Sequence, residues 1–120
     1  MKLTGSMLTS GDVVELDLGL PEGREAGFRH PAVVVTSQRI LDARPNVIQV
    51  VPLTTTVRDF TSEITIEPDI DNNLQHLSAT QCQHIRAVST GRVDQVHGNV
   101  GPTVLSHIRD TVGLILDIPT

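Results

Sequence analysis

The run Pro31-Ala32-Val33-Val34-Val35 decides the kind of fold that this chain can form. Its apolar residues follow one another without a polar interruption, which is typical of a strand that is covered on both faces. Residues 12–18 instead alternate apolar side chains with Glu15 and Asp17, as a strand with one face in water does. The sequence therefore predicts a first strand over 12–18 and a central strand directly after Pro31.

Three further strands are predicted from the same patterns. Residues 47–53 form an apolar run in which Pro52 indicates an edge or a bulge, because proline cannot donate a ladder hydrogen bond. Residues 63–67 alternate cleanly, and the turn-forming residues 68–73 follow them. Residues 78–88 can form a fifth strand. Strict alternation would then place one set of side chains on a shared face that is wet or functional: Ser78, Thr80, Cys82, His84 and Arg86.

Two helical segments complete the pattern. Residues 38–43 suggest a short helical turn, and Gly101-Pro102 resembles a helix start with proline at the first position. Apolar residues recur at helical spacing after it, so an amphipathic C-terminal helix is expected. Five short strands and one covering helix predict a small, strongly curved sheet or half-open barrel. We expect one domain over residues 11–118, with residues 1–10 as a flexible N-terminus or a cloning remnant.

Composition restricts the function. The chain has 120 residues, a net charge of -5 and 2% aromatic residues, which argues against a broad basic surface and leaves few platforms for stacking bases. Any binding of nucleic acid must therefore be local. Cys82 is the one cysteine, so no internal disulfide can form, and no apolar run approaches the length of a membrane span. We expect a cytoplasmic protein that has no contact with a membrane.

The loop before the central strand carries the most chemistry. It reads Gly23-Arg24-Glu25-Ala26-Gly27-Phe28-Arg29-His30-Pro31, and it places two arginines and a histidine between two strands. Polar loops held between strands are common positions for functional residues. The chain contains no HExxH motif, clustered carboxylates or Cys/His ligand spacing, so no metal site is predicted.

Five motifs follow one another in a recognisable order and spacing: Gly11-Asp12-Val13-Val14, Gly23-x-Glu25, the run from Pro31 to Val35, Val50-Val51-Pro52-Leu53-Thr54, and Ile85-Arg86. Over residues 11–118 the chain resembles the MazF/PemK toxins. The resemblance implies an SH3-like small β-barrel of the MazF/PemK/CcdB superfamily with a C-terminal amphipathic helix, and a homodimer. It also implies a toxin that inhibits growth as a metal-independent, cofactor-free endoribonuclease. Such an enzyme cuts single-stranded RNA at short specific sequences through attack of the 2′-hydroxyl, and an acidic antitoxin inhibits it.

The same resemblance assigns the candidate catalytic residues. Members of the family carry an arginine directly before the proline of the second strand, whereas this chain has His30 there, preceded by Arg29. A histidine titrates near neutrality and is the better proton carrier, while Arg29 would supply charge. Adjacent residues of a strand point to opposite sides, so which of the two transfers the proton stays open. Thr54 matches the threonine that would donate to a phosphate oxygen.

Further residues are candidates for RNA binding. Gly23 and Glu25 match the family's Gly-Ser-Glu loop, in which Arg24 replaces the serine. His84 and Arg86 are expected to line the RNA groove at the dimer interface. Thr55 and Arg58 complete the set, as residues near Thr54 that can contact phosphate.

Two alternatives remain open from the sequence. One is a non-enzymatic toxin that binds a protein target, as related barrel toxins bind DNA gyrase. The other is an inactive β-barrel interaction module, because the arginine expected before Pro31 is missing. The RNA sequence that is cut, the physiological target and the antitoxin cannot be read from these residues.

Overall fold

The computed structural model describes residues 8–18 and 29–119. Seven strands and two α-helices are formed in this part of the chain. The strands are β1 (Asp12–Asp17), β2 (Arg29–Val34), β3 (Val47–Thr54), β4 (Glu63–Ile66), β5 (Ser78–Gln81), β6 (Arg86–Ser89) and β7 (Val93–Asn99). The helices are α1 (Gln38–Asp42) and α2 (Pro102–Ile115), and 3-10 turns span Cys82–His84 and Thr90–Arg92.

All strand pairs are antiparallel, in the order β4-β5-β3-β2-β1-β7, and β6 pairs with β3 beside β5. Among the described residues the two end strands, β4 and β7, do not pair with each other. The sheet is therefore curved but not closed into a full barrel. The predicted combination of a mainly β fold with a C-terminal helix is confirmed.

The central position of β2 is also confirmed, because both of its faces are buried. Ala32 and Val34 pack into one apolar cluster together with Leu41 of α1, and we call this side of the sheet the α1 face. Val33 packs into a second cluster together with Ile108 of α2, and we call that side the α2 face. All five side chains are fully buried. An uninterrupted apolar run is what a strand between two cores requires.

Both helices begin where the sequence predicted. Ser37 caps α1 by accepting a hydrogen bond from the Ile40 amide, as serine does at helix starts. Pro102 is the first residue of α2, preceded by Gly101 at a φ of 87°, a conformation that favours glycine. The amide of Gly101 donates to the side-chain oxygen of Asn99 at 2.8 Å, which fixes the turn from β7 into α2.

The prediction of one strand over 78–88 is wrong. β5 pairs with the end of β3, and β6 pairs with its beginning, so the chain must cross from one partner position to the other through the Cys82–His84 turn. The turn interrupts the alternation that the prediction assumed. Ser78, Thr80 and Cys82 are consequently buried, whereas His84 and Arg86 are exposed.

Pro52 does not lie at a free edge of the sheet. It is opposite Ala32 on β2, within a strand that has partners on both sides. On its other flank, however, the β6 ladder ends at Val50 and the β5 ladder begins at Leu53. Pro52 therefore lies at an interruption between two ladders, where a missing N–H is tolerated.

Two parts of the fold lie outside the predicted elements. β7 was not predicted, because its Val93–Asn99 sequence contains only two valines among polar residues. Residues 8–10, which we had excluded from the domain, are packed: Leu8 is buried in the α1-face cluster and the Ser10 hydroxyl donates to the Thr36 carbonyl at 2.6 Å. Residues 1–7 of the excluded segment lie outside the described residues.

Candidate active site

The register between β2 and β3 brings two predicted catalytic residues together. Ala32 is opposite Pro52, and Val34 is opposite Val50. Continuing the same register by two residues places His30 across from Thr54, at the ends of both strands. By alternation both side chains belong to the α1 face, just beyond its apolar cluster.

Arg86 adds a positive charge on the same face. It is opposite Val50 on β6, and Val88 two residues later is buried in the α1-face cluster. Arg86 is exposed, and no ion pair with another described residue engages its guanidinium. His30, Thr54 and Arg86 therefore lie on the α1 face of three adjacent strands. Arg86 is level with Val50, four residues before Thr54 on β3, and its charge acts on His30.

The environment of His30 favours the neutral imidazole. Burial lowers the pKa of His30 below its ordinary value of 6.5, Glu15 opposes this shift and the positive charge of Arg86 adds to it. No residue in the ranges 8–18 and 29–119 forms a hydrogen bond with the ring. A neutral imidazole can accept a proton from a substrate hydroxyl.

The hydroxyl of Thr54 is oriented by the turn that follows β3. Its oxygen accepts a hydrogen bond from the backbone amide of Thr56 at 3.1 Å. This bond uses a lone pair and leaves the proton, for which the described part of the chain supplies no acceptor. Thr54 is half-buried, so its hydroxyl can donate to a bound oxyanion.

Arg29 lies on the opposite side of β2 from His30. It is opposite Asp17 on β1, and its guanidinium forms an ion pair with the carboxylate of Asp94 on β7. Alternation along the strand thus separates the two residues that the sequence could not rank. Asp94 was not predicted as a partner, because β7 itself was not recognised.

The predicted RNA-binding residues occupy several positions. Thr55 begins the exposed loop after β3, and His84 is exposed in the turn between β5 and β6. Arg58 lies in the same loop as Thr55 and donates to Glu63 at 2.7 Å. Three predicted residues, Gly23, Arg24 and Glu25, lie outside the described residues.

Glu63 is a site residue that the sequence analysis missed. One of its carboxylate oxygens accepts hydrogen bonds from Gln83 and from Arg58, both at 2.7 Å, and its side chain is only 2% exposed. Both hydrogen bonds lower the pKa of Glu63, and the one from Gln83 has the larger effect. The carboxylate is therefore ionised. Arg58 of the preceding loop and Gln83 of the Cys82–His84 turn contact this carboxylate, and the alternation of 63–67 alone reveals neither contact.

Residues 8–18 and 29–119 contain neither a metal-binding cluster nor a membrane-spanning helix. No three His, Cys, Asp or Glu side chains lie close enough together to hold a metal ion. No helix in these ranges is both long enough and apolar enough to cross a bilayer.

Comparison with known proteins identifies the family. Residues 9–116 match the family described as PemK-like, MazF-like toxin of type II toxin-antitoxin system. The chain belongs to this family. It is also 28% identical over 116 residues to the endoribonuclease MazF9 of Mycobacterium tuberculosis. The aligned region covers 93% of this chain and 98% of that relative.

Solved structures show the same fold as this MazF-like chain. A MazE-MazF crystal structure from Deinococcus radiodurans aligns with a TM-score of 0.76 at 21% identity, over 93% of this chain and 97% of that one. An endoribonuclease in complex with its cognate antitoxin, from mycobacterial species, aligns with a TM-score of 0.74 at 21% identity, over 94% and 98% of the two chains. The fold class implied by the sequence resemblance is therefore confirmed.

Proposed function

We propose that this MazF-like toxin is a metal-independent endoribonuclease that cuts single-stranded RNA at specific short sequences. The observation that supports the proposal is the β2–β3 register, which runs from Val34–Val50 to Ala32–Pro52. Extended by two residues, it sets His30 across from Thr54, on a face that also bears Arg86. These three side chains supply a proton acceptor, a hydrogen-bond donor and a positive charge. Transphosphorylation of RNA needs all three.

The chemistry follows from these roles. His30 accepts the proton of the ribose 2′-hydroxyl while that oxygen attacks the adjacent phosphorus. The Thr54 hydroxyl donates to a non-bridging oxygen as negative charge develops there, and Arg86 contributes electrostatic stabilisation. The 5′-oxygen leaves with a proton from water or from a second side chain, and the other product ends in a 2′,3′-cyclic phosphate.

His30 is a better proton acceptor than Arg29 on two grounds. A guanidinium is almost never deprotonated in proteins, whereas burial keeps the His30 imidazole neutral. Arg29 is also engaged by Asp94 on the other side of the sheet. Arg29 therefore anchors the start of β2 and does not contact the phosphate.

The family membership supports the partners in this proposal. We infer a cytoplasmic homodimer whose RNA groove an acidic antitoxin can cover. We assign His84 and the loop residues Gly23, Arg24 and Glu25 to that groove. The Deinococcus radiodurans MazE-MazF structure and the mycobacterial complex with a cognate antitoxin are similar assemblies. A disordered acidic segment that folds across a cationic groove would exclude RNA from it.

Incubation with a long natural RNA in EDTA tests the proposal. We expect cleavage at a recurring short sequence, 2′,3′-cyclic phosphate ends, and no cleavage when the cut nucleotide is 2′-deoxy. His30→Ala should lower kcat by about 10²- to 10⁴-fold, the usual contribution of a general base. Arg29→Ala is the matched control and should lower kcat by a much smaller factor.

Two results would contradict this assignment. Activity that survives His30→Ala but not Arg29→Ala would transfer the proton-acceptor role to the arginine. If no RNA is cleaved at toxin-like concentrations, the protein is either a non-enzymatic toxin or an inactive interaction module. Capture of DNA gyrase would support the non-enzymatic toxin.

A further inference from the structure

Phe60 and Arg58 form a stacked pair in the loop between β3 and β4. The guanidinium carbon of Arg58 lies 4.3 Å from the centroid of the Phe60 ring. Phe60 is 50% exposed and the Arg58 side chain is 41% exposed, so the pair presents flat surface to solvent. Phe28, the other aromatic residue of this chain, lies outside the described residues. Phe60 is therefore the only Phe, Tyr or Trp ring in the described part of the molecule.

Hydrogen bonds to Glu63 hold the pair in place. Arg58 donates to the buried Glu63 carboxylate at 2.7 Å, and Gln83 donates to the same oxygen at 2.7 Å from the Cys82–His84 turn. The amide of Glu63 donates to the Phe60 carbonyl at 3.0 Å, which closes the loop into a turn. A guanidinium and a ring that are fixed in advance lose little entropy when a ligand stacks on them.

The pair lies close to the proposed reaction centre. Thr54 is opposite Ala79 on β5, and Glu63 is opposite Gln81 on the same strand. Alternation places Thr54, Ala79, Gln81 and Glu63 on one face, with Glu63 two strands away from Thr54. Two strand spacings of ~4.8 Å put the anchor of the pair roughly 10 Å from the Thr54 strand.

We propose that the Arg58–Phe60 pair is the stacking site for one unpaired nucleobase next to the cleaved position. The inference rests on the proposed ribonuclease function. Every nucleobase has a π face that stacks on aromatic rings and on guanidinium planes. Glu63 and Gln83 act as positioning residues, since they hold Arg58 and do not reach the base themselves.

Binding of a non-cleavable RNA tests the site separately from catalysis. The probe is a single-stranded RNA oligonucleotide with the mapped cut sequence, 2′-deoxy at the cut nucleotide, and 2-aminopurine at each neighbouring position in turn. We expect fluorescence quenching at one position with the wild type and with Phe60→Tyr. Phe60→Leu should lose this quenching and bind about 5- to 150-fold more weakly, the usual loss for one stacked base.

Controls and outcomes separate the two proposals. Ile70→Ala removes a side chain that is 91% exposed in the turn after β4, and it should leave binding unchanged. Arg58→Ala should also lose the quenching, and Glu63→Gln should weaken it. A wild type that cuts RNA while Phe60→Leu keeps full quenching and affinity would overturn this inference alone. A wild type that neither cuts nor binds RNA would overturn the ribonuclease proposal together with this one.

Discussion

At the scale of single residues, His30 and Arg29 are adjacent in the chain, but their side chains lie on opposite sides of β2. The sequence marks both as candidates, since each can be matched to the arginine of related toxins. It could not rank them, because that choice depends on which strand lies beside β2 and on Asp94 of β7. The position of Thr54 at the end of β3 was predictable, because it depends only on the apolar run that precedes it.

The lowered pKa of His30 predicts a specific pH dependence of stability. The unfolded chain takes up a proton as the pH falls through 6.5, while the folded imidazole resists protonation until a lower pH. The unfolded state then binds more protons, so the free energy of unfolding decreases as the pH falls below 6.5. His30→Gln should flatten the curve of Tm against pH in that range.

Thermal unfolding between pH 5 and pH 8 measures this effect. Thr54→Val is a suitable control, because it alters the same end of the α1 face without removing a titratable group. Its curve should keep the slope of the wild type. A His30→Gln curve that runs parallel to the wild type would show that His30 titrates alike in both states.

At the scale of secondary structure, local patterns were sufficient for strands that form one continuous apolar or alternating run. β1, β3, β4 and both helices appear where periodicity and capping residues predicted them. β2 begins at Arg29, ahead of the predicted start after Pro31, so Arg29 and His30 belong to the strand and not to the loop. The division into β5 and β6 was not predictable, since β3 accepts two partners on one flank and the break reflects their positions. β7 depends on β1 for its pairing and has little apolar pattern of its own.

Gly98 on β7 predicts a steric effect. A Cβ atom there would lie 2.4 Å from the Asp71 carbonyl oxygen and 2.7 Å from that of Asn72. Both atoms belong to the backbone of a turn and cannot move aside cheaply. Gly98→Ala should therefore destabilise the fold by about 1–3 kcal/mol, as overpacking usually does.

Urea denaturation of two glycine variants checks this expectation. Gly113→Ala in α2 is the matched control, because nothing lies within 4 Å of the added Cβ. Alanine is favoured over glycine in helices by up to ~1 kcal/mol, so this variant should be slightly more stable than the wild type. Equal midpoints for the two variants would contradict the steric argument.

At the scale of the whole molecule, a net charge of -5 must be reconciled with an anionic substrate. Arg29 belongs to the cationic stretch before the central strand, but its ion pair with Asp94 neutralises its charge. Arg86 is the cation that stays free beside His30 in the described part of the chain. Charges farther away than about 8 Å are largely screened at physiological salt, so local charge outweighs net charge.

The kcat/KM for RNA cleavage should therefore fall as the salt concentration rises. The slope of log kcat/KM against log salt should be shallower than for a basic protein. Each phosphate contact on a single strand contributes a slope of roughly -0.7 in log affinity against log salt. With one to three such contacts, kcat/KM should fall about 3- to 20-fold from 50 to 200 mM salt. Arg86→Ala should reduce the slope by one contact. A rate that rises with salt would show that net repulsion dominates.

The position of β1 between β2 and β7 also has a kinetic consequence. Glu15 and His97, which are paired at 3.3 Å, are 82 residues apart in the chain. Contacts between such distant segments form late, because the long intervening loop must close first. During synthesis, β1 can obtain its second neighbour only after Asn99 has left the ribosome. The sheet is therefore completed only after β7 has emerged, so a nascent chain carries His30 and Thr54 before it has the complete fold.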